Sequence, residues 1–133
     1  MSEIERVIEL WDSLPWHEFH VALKRDGWER DKSGHNKIVF WKGDLVVKYD
    51  DDGHTADEFD YWNRSDERWH LASVLAYHHG LMVQERLTIC AGPCQHRPAK
   101  RLARRLGVPD YTHHGVDRCG SLKFFDYGPL GEE

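Results

Sequence analysis

The chain has 133 residues and a formal net charge of −5, with a pI near 6.0. That length ordinarily makes one domain around one core, and the acidic balance argues against a general nucleic-acid binder, which would carry a basic field. No apolar run approaches the roughly 18 residues of a membrane helix, Met1–Glu5 has no signal-peptide pattern, and three cysteines at 90, 94 and 119 make no disulfide framework, so the expectation is a cytoplasmic protein with reduced thiols.

Residues 3–14 carry Ile4, Val7, Ile8, Trp11 and Leu14, one face of a helix. Ser2 with Glu5 three residues on makes a capping box, and Pro15 ends the helix. Residues 16–26 are open between a helix (Trp16, Phe19, Leu23) and a strand (Phe19, Val21, Leu23), and Gly27 breaks the segment. The runs KIVFW and LVVKY over 37–49, joined by a tight turn at Lys42-Gly43-Asp44, predict a hairpin. After the polar break 50–54, Thr55 and Glu58 repeat the capping-box pattern and predict a helix running to about Leu71, with Phe59, Trp62 and Trp69 facing inward. Residues 71–77 and 81–87 predict a second hairpin around His78-His79-Gly80. Cys90–Pro98 reads as a loop, 99–106 as a basic helix stopped by Gly107 and Pro109, and two short runs, near Tyr111–Val116 and at SLKFF, close the chain. The six Trp, five Tyr and five Phe are enough aromatic mass for a real core.

In order, these are a glycine turn, a hairpin carrying a lysine, a helix with an acid near its start, a hairpin, a linker, a helix, and Asp-aromatic-Gly after a hydrophobic run. The order resembles the protein kinase superfamily over roughly residues 33–128. Ser33-Gly34-His35-Asn36 looks like a degenerate glycine-rich loop, Leu45-Val46-Val47-Lys48 is similar to the strand bearing the kinase lysine, and Glu58 falls where the family's helix glutamate pairs with it. Met82–Leu87 resembles the strand entering the hinge, Asp110 corresponds to the catalytic-loop aspartate, and Asp126-Tyr127-Gly128 to the metal-binding motif.

The resemblance implies an α+β kinase-like fold: a helical extension over 1–27, an N-lobe-like antiparallel sheet with a packed helix over 28–88, and a much reduced C-terminal lobe over 89–133. It implies ATP and Mg2+ as cofactors, with Gly34, Lys48 and Glu85 at the nucleotide, Glu58 orienting Lys48, Asp126 at the metal and Asp110 as base. The sequence departs from the pattern. Val108-Pro109 stands before Asp110 in place of His-Arg, and Gly115 stands where the family has a metal-binding Asn. The sequence runs five residues past Gly128, and the resemblance then implies a chain without the activation segment and substrate-binding helices of a full kinase, similar to the minimal kinase-like proteins of bacteriophages.

Each residue also has a plainer reading. Strand alternation could turn Lys48 to solvent, Asp126 could open a turn before glycine, and Asp110 could be a loop acid. Cys90, Cys94 and His96 do not have the spacing of a standard zinc finger, and a proline-containing loop with incidental thiols is preferred over zinc. The basic helix suits an acidic partner or a phosphate, or is a solvated face. Two functions lead: a kinase-like phosphotransferase, or a pseudokinase-like module that binds another protein or a second copy of itself; a small zinc-stabilised protein with no nucleotide site ranks third.

Overall fold

The computed structural model describes residues 1–31, 37–89, 96–108, 114–125 and 127, with only the backbone of His96. Its class is α+β. A five-stranded antiparallel sheet in the order β1-β2-β3-β5-β4 is built from β1 (Glu29–Asp31), β2 (Ile38–Lys42), β3 (Leu45–Tyr49), β4 (Val74–His78) and β5 (Leu81–Glu85). Among the described residues there are four α-helices: α1 (Glu3–Ser13), α2 (Trp16–Arg25), α3 (His54–Arg64) and α4 (His96–Leu106). None is long and apolar enough to cross a membrane. A second, two-stranded sheet pairs β6 (His114–Val116) with β7 (Leu122–Phe124).

The two expected hairpins form, each through a turn its residues suit. Gly43 takes φ +58° at the first position of the two-residue β2–β3 turn, where a type II′ hairpin wants glycine. His79 and Gly80 both have positive φ between β4 and β5, the condition of a type I′ turn. Alternation along the strands then sorts the sheet into two faces. Phe40, Val47, Tyr49, Leu81 and Val83 face α1 and α2, where they pack with Val7, Leu10, Phe19, Leu23 and Trp28. Tyr49 lies at the centre, with its ring 5.0 Å from Phe19 and 5.3 Å from Trp11. Helices α1 and α2 therefore pack on one face of the sheet. The segment open between helix and strand is α2, because Pro15 sits at its N-cap and Phe19 and Leu23 form a buried stripe one turn apart.

The opposite face carries Lys48, Met82 and Gln84 and receives α3. A second core gathers below it from Leu71, Ala72, Leu87, Ala99, Ala103, Val108, Phe124 and Tyr127, with Tyr61 and Trp62 of α3 packed on its edge. The small sheet is stitched to the chain leaving β5 by reciprocal Thr88–Val116 backbone hydrogen bonds, both 2.9 Å. The Ala72 N–H donates to the Phe124 carbonyl on the other side.

Several expectations require correction. Ser2 and Glu5 do close a capping box on α1, but Thr55 does not cap α3. The helix begins at His54 after Gly53, and the Asp50 carboxylate takes the N–H groups of Asp52, His54 and Thr55. The same helix stops at Arg64 rather than near Leu71. A 3-10 turn, Arg68–His70, follows, and Trp69 is 62% exposed instead of inward-facing. Helix α4 starts at His96, taking in Pro98, which its first turn tolerates because those N–H groups have no intrahelical partner.

Candidate functional site

Lys48 lies in β3, opposite Met82 of β5 and Val39 of β2. Its side chain leaves the sheet on the α3 face and the residue is 3% exposed, which disposes of the solvent-facing alternative. A lysine so placed needs charged or polar partners, because an isolated buried ammonium costs several kcal/mol. It has two. Nζ donates to Glu58 Oε2 at 2.9 Å and to the carbonyl oxygen of Phe125. Of the three ammonium hydrogens one remains beyond these contacts.

Glu58 is fully buried on the inner face of α3, one turn after the equally buried Thr55. Asp50 makes this placement possible. By satisfying the first N–H groups of α3 from outside the helix, it leaves the Glu58 carboxylate free to turn inward instead of back to the N-cap. Burial works against the Asp50 charge, but the hydrogen bonds from Thr55, His54 and Asp52 outweigh it and hold its carboxyl below the usual 3.8.

Two residues that sequence reasoning did not single out complete the cluster. Gln84, fully buried in β5, donates from Nε2 to the Tyr127 hydroxyl at 3.1 Å and, more weakly, to Glu58 Oε2 at 3.4 Å. Tyr127 in turn donates to the Ala72 carbonyl at 3.1 Å. Lys37, just ahead of β2, brings Nζ to 3.2 Å from Glu58 Oε1. The sheet register contains the signal for both. Gln84 pairs with Val46 and Lys48 with Val39, so period-two alternation puts Gln84 and Lys37 on the Lys48 face.

Glu85 ends β5 with its carboxylate committed to the Ser73 N–H at 2.8 Å and to Lys123 Nζ at 2.8 Å. Lys123, in β7, also lies 3.2 Å from Asp117, so this ion pair fastens the small sheet to the large one. Partial burial opposes the Lys123 charge. Its hydrogen bonds and ion pairs with Glu85 and Asp117 prevail and raise its pKa above 10.5. The Asp117 carboxyl is held below 3.8, chiefly by the Ser121 N–H.

Gly115, in β6, is closely packed by the chain leaving β5. A Cβ there would lie 2.7 Å from the Thr88 carbonyl oxygen and 2.9 Å from Leu87 Cβ, so no side chain fits. Gly34, Cys90, Cys94, Asp110 and Asp126, and the side chain of His96, lie outside the described residues. Among the described residues no three His, Cys, Asp or Glu side chains converge as a metal site. A separate open cleft of about 520 Å³ runs between the end of α3 and the end of α4, lined by Tyr61, Arg64, Glu67 and Arg105 among others.

The cluster is thus a buried cation–carboxylate–cation arrangement tied through Gln84 and Tyr127 to the second core at Ala72. Comparison with known proteins adds nothing to this description: no family model, curated protein or solved structure matches the chain.

Proposed function

We propose that the chain binds ATP with Mg2+ in a kinase-like site and transfers its terminal phosphoryl group to an acceptor. The observation that carries this reading is the buried Lys48–Glu58 pair, 2.9 Å apart, joining β3 to α3. A carboxylate that fixes a lysine from the helix side leaves its remaining donor for a phosphate oxygen, and fixed positive charge is what phosphoryl transfer requires of a protein. The order of elements supports the same reading, with lysine strand, acid-bearing helix and second hairpin following one another in one antiparallel sheet. So do the neighbours of Asp126. The Phe125 carbonyl accepts from Lys48, and the Tyr127 hydroxyl accepts from Gln84. In this reading Lys48 holds phosphate, Glu58 orients Lys48, Asp126 supplies the oxygen ligand for Mg2+, Asp110 takes the acceptor proton, and Gly34 and Glu85 belong to the loop and the strand end that enclose the nucleotide.

A second reading, a pseudokinase-like module that acts by binding another protein, is favoured by one observation. Lys48 is almost wholly enclosed, with two of its donors already used inside the protein.

Thermal unfolding with ATP, with and without Mg2+, separates the two. Ligand at 100 times its dissociation constant stabilises a fold by about 2.7 kcal/mol. Asp126→Asn should abolish the Mg2+ dependence of that gain. A melting temperature indifferent to millimolar ATP, with and without the metal, would leave the binding-module reading in possession.

A further inference from the structure

Helix α4 gathers charge of one sign. Its sequence, HRPAKRLARRL, holds Arg97, Lys100, Arg101, Arg104 and Arg105 and no Asp or Glu. Ala99 and Ala103 are buried in the second core, with Leu102 and Leu106 packed beside them, so the helical period puts all five cations on the outer face, where all are exposed. They are five of the chain's 18 Lys and Arg, with none of its 23 Asp and Glu, so the rest of the surface is more acidic than the net charge of −5 implies.

The face has an aromatic edge. Arg105, held by Glu67 at 2.8 Å, lies 3.4 Å from His70 Nε2, and the His70 ring lies 5.8 Å from that of Trp69. Trp69 is one of the few large apolar side chains that is mostly exposed. Arg105 also lines the open cleft at the end of α3, together with Tyr61 and Arg64. A merely solvated helix face ordinarily mixes its cations with acids, whereas arginine and tryptophan side by side are the residues that anchor protein interfaces.

We infer that the outer face of α4, with Trp69 at its edge, docks a short acidic segment of a partner protein: an extended peptide of alternating carboxylates with one aromatic side chain to pack on Trp69. Four of the five cations are arginines, whose planar forks match carboxylates with two parallel hydrogen bonds. Arg97, Arg101 and Arg104 succeed one another along the helix axis at steps of about 6 and 4.5 Å. Carboxylates on one face of an extended chain recur about every 7 Å, within the reach of flexible arginine side chains. The acidic surroundings select the size of the partner. Charges are screened beyond about 8 Å at physiological salt, so a segment confined to α4 feels mainly its cations, whereas a long polyanion such as a nucleic acid would run on over carboxylates. None of these residues belongs to the Lys48 cluster, and the inference does not depend on which reading of that cluster holds.

The test is fluorescence anisotropy of the full chain with a labelled peptide of alternating glutamates and glycines ending in phenylalanine, set against a thymidine oligonucleotide of the same net charge. The variants are Arg101→Glu/Arg104→Glu and Trp69→Ala, with circular dichroism as the check on folding. Wild type should bind the peptide more tightly than the oligonucleotide, and less tightly as salt rises. The double reversal should weaken peptide binding about tenfold or more, because it replaces two attractions by two repulsions. Trp69→Ala should weaken it about threefold, the size of one aromatic contact. Should the double reversal fail to fold, Arg101→Gln/Arg104→Gln carries the same comparison with a smaller loss. Any stabilisation by ATP should be the same in wild type and the double variant, which keeps this test apart from that of the nucleotide site. Peptide binding that is absent from wild type, or indifferent to the reversal or to Trp69→Ala, overturns the inference. So does tighter binding of the oligonucleotide, which would make the face a nucleic-acid surface, and so does a double variant that loses a response to ATP, which would assign α4 to the nucleotide site.

Discussion

The Gln84 amide donates to the Tyr127 hydroxyl at 3.1 Å, and that one bond joins β5 of the large sheet to the residue that follows Asp126. Both side chains are fully buried, and the Tyr127 hydroxyl passes its own hydrogen on to the Ala72 carbonyl. Tyr127→Phe keeps the ring in the second core but leaves the Gln84 amide with only its 3.4 Å contact to Glu58, and deprives the Ala72 carbonyl of this donor. Leaving buried polar groups unpaired costs about 1–3 kcal/mol. Urea unfolding should show a lower midpoint at unchanged slope. A midpoint equal to wild type would mean that the hydroxyl holds nothing.

Asp50 should behave as the cap of α3 with a defined pH dependence. Asp50→Ala removes the acceptor of three N–H groups and should cost about 1 kcal/mol at neutral pH. Because the folded-state pKa lies below the ordinary 3.8, the stabilisation is complete above that value and is lost as pH falls through the folded pKa. The stability difference between wild type and Asp50→Ala should therefore be constant from pH 7 to about 5 and shrink toward pH 2. A difference that grew on acidification would contradict the assignment.

What could be read in advance follows from which forces were local. The β2–β3 hairpin shows itself in the apolar runs Ile38–Trp41 and Leu45–Val47 around Gly43, since strand propensity and turn chemistry agree there. Strand β1 does not, because Glu29, Arg30 and Asp31 are all charged and exposed, and only pairing with Val39–Trp41 makes them a strand. At α3 the Thr55-to-Glu58 spacing matches a capping box, yet a carboxylate five residues ahead of Thr55 won the cap and the burial of Lys48 claimed Glu58. The Lys48–Glu58 pairing was legible from the order of elements. Gln84 and Lys37 were not, because their membership of the site depends on a three-strand register, and a polar residue inside or beside an apolar run reads equally well as one facing water.

Lys123 should report on the junction between the two sheets. Lys123→Met deprives Glu85 and Asp117 of their shared cation and should cost about 1 kcal/mol, discounted for solvent screening on its open side. The Lys123 pKa is raised, so its contribution is complete below the ordinary 10.5 and lost as pH rises through the folded value. The Asp117 pKa is lowered, so its share is present above 3.8 and lost on further acidification. The stability gap between wild type and Lys123→Met should thus be widest between those limits and narrow on either side. Thermal unfolding in a pH series measures it, and a gap that persisted unchanged to pH 12 would refute the ion-pair account.

Gly115 tests whether the proposed kinase-like site could hold a second metal ligand. If the site worked through a second metal ligand at this position, Gly115→Asn would supply the missing oxygen and strengthen Mg2+-dependent ATP binding. The packing forbids it. Any Cβ at residue 115 would press on the Thr88 carbonyl oxygen at 2.7 Å, and that oxygen is itself held by the Val116 N–H at 2.9 Å. Neither backbone can move without breaking the reciprocal Thr88–Val116 pairing that stitches the small sheet to the chain leaving β5. Overpacking of this kind costs about 1–3 kcal/mol. Gly115→Ala and Gly115→Asn should therefore both lower the urea midpoint, with Asn the worse because it adds volume at the same closed point. Neither should improve Mg2+-dependent ATP binding over wild type. A Gly115→Asn variant as stable as wild type that bound ATP more tightly with Mg2+ would show that the β6–Thr88 contact yields and that the position is open to a ligand.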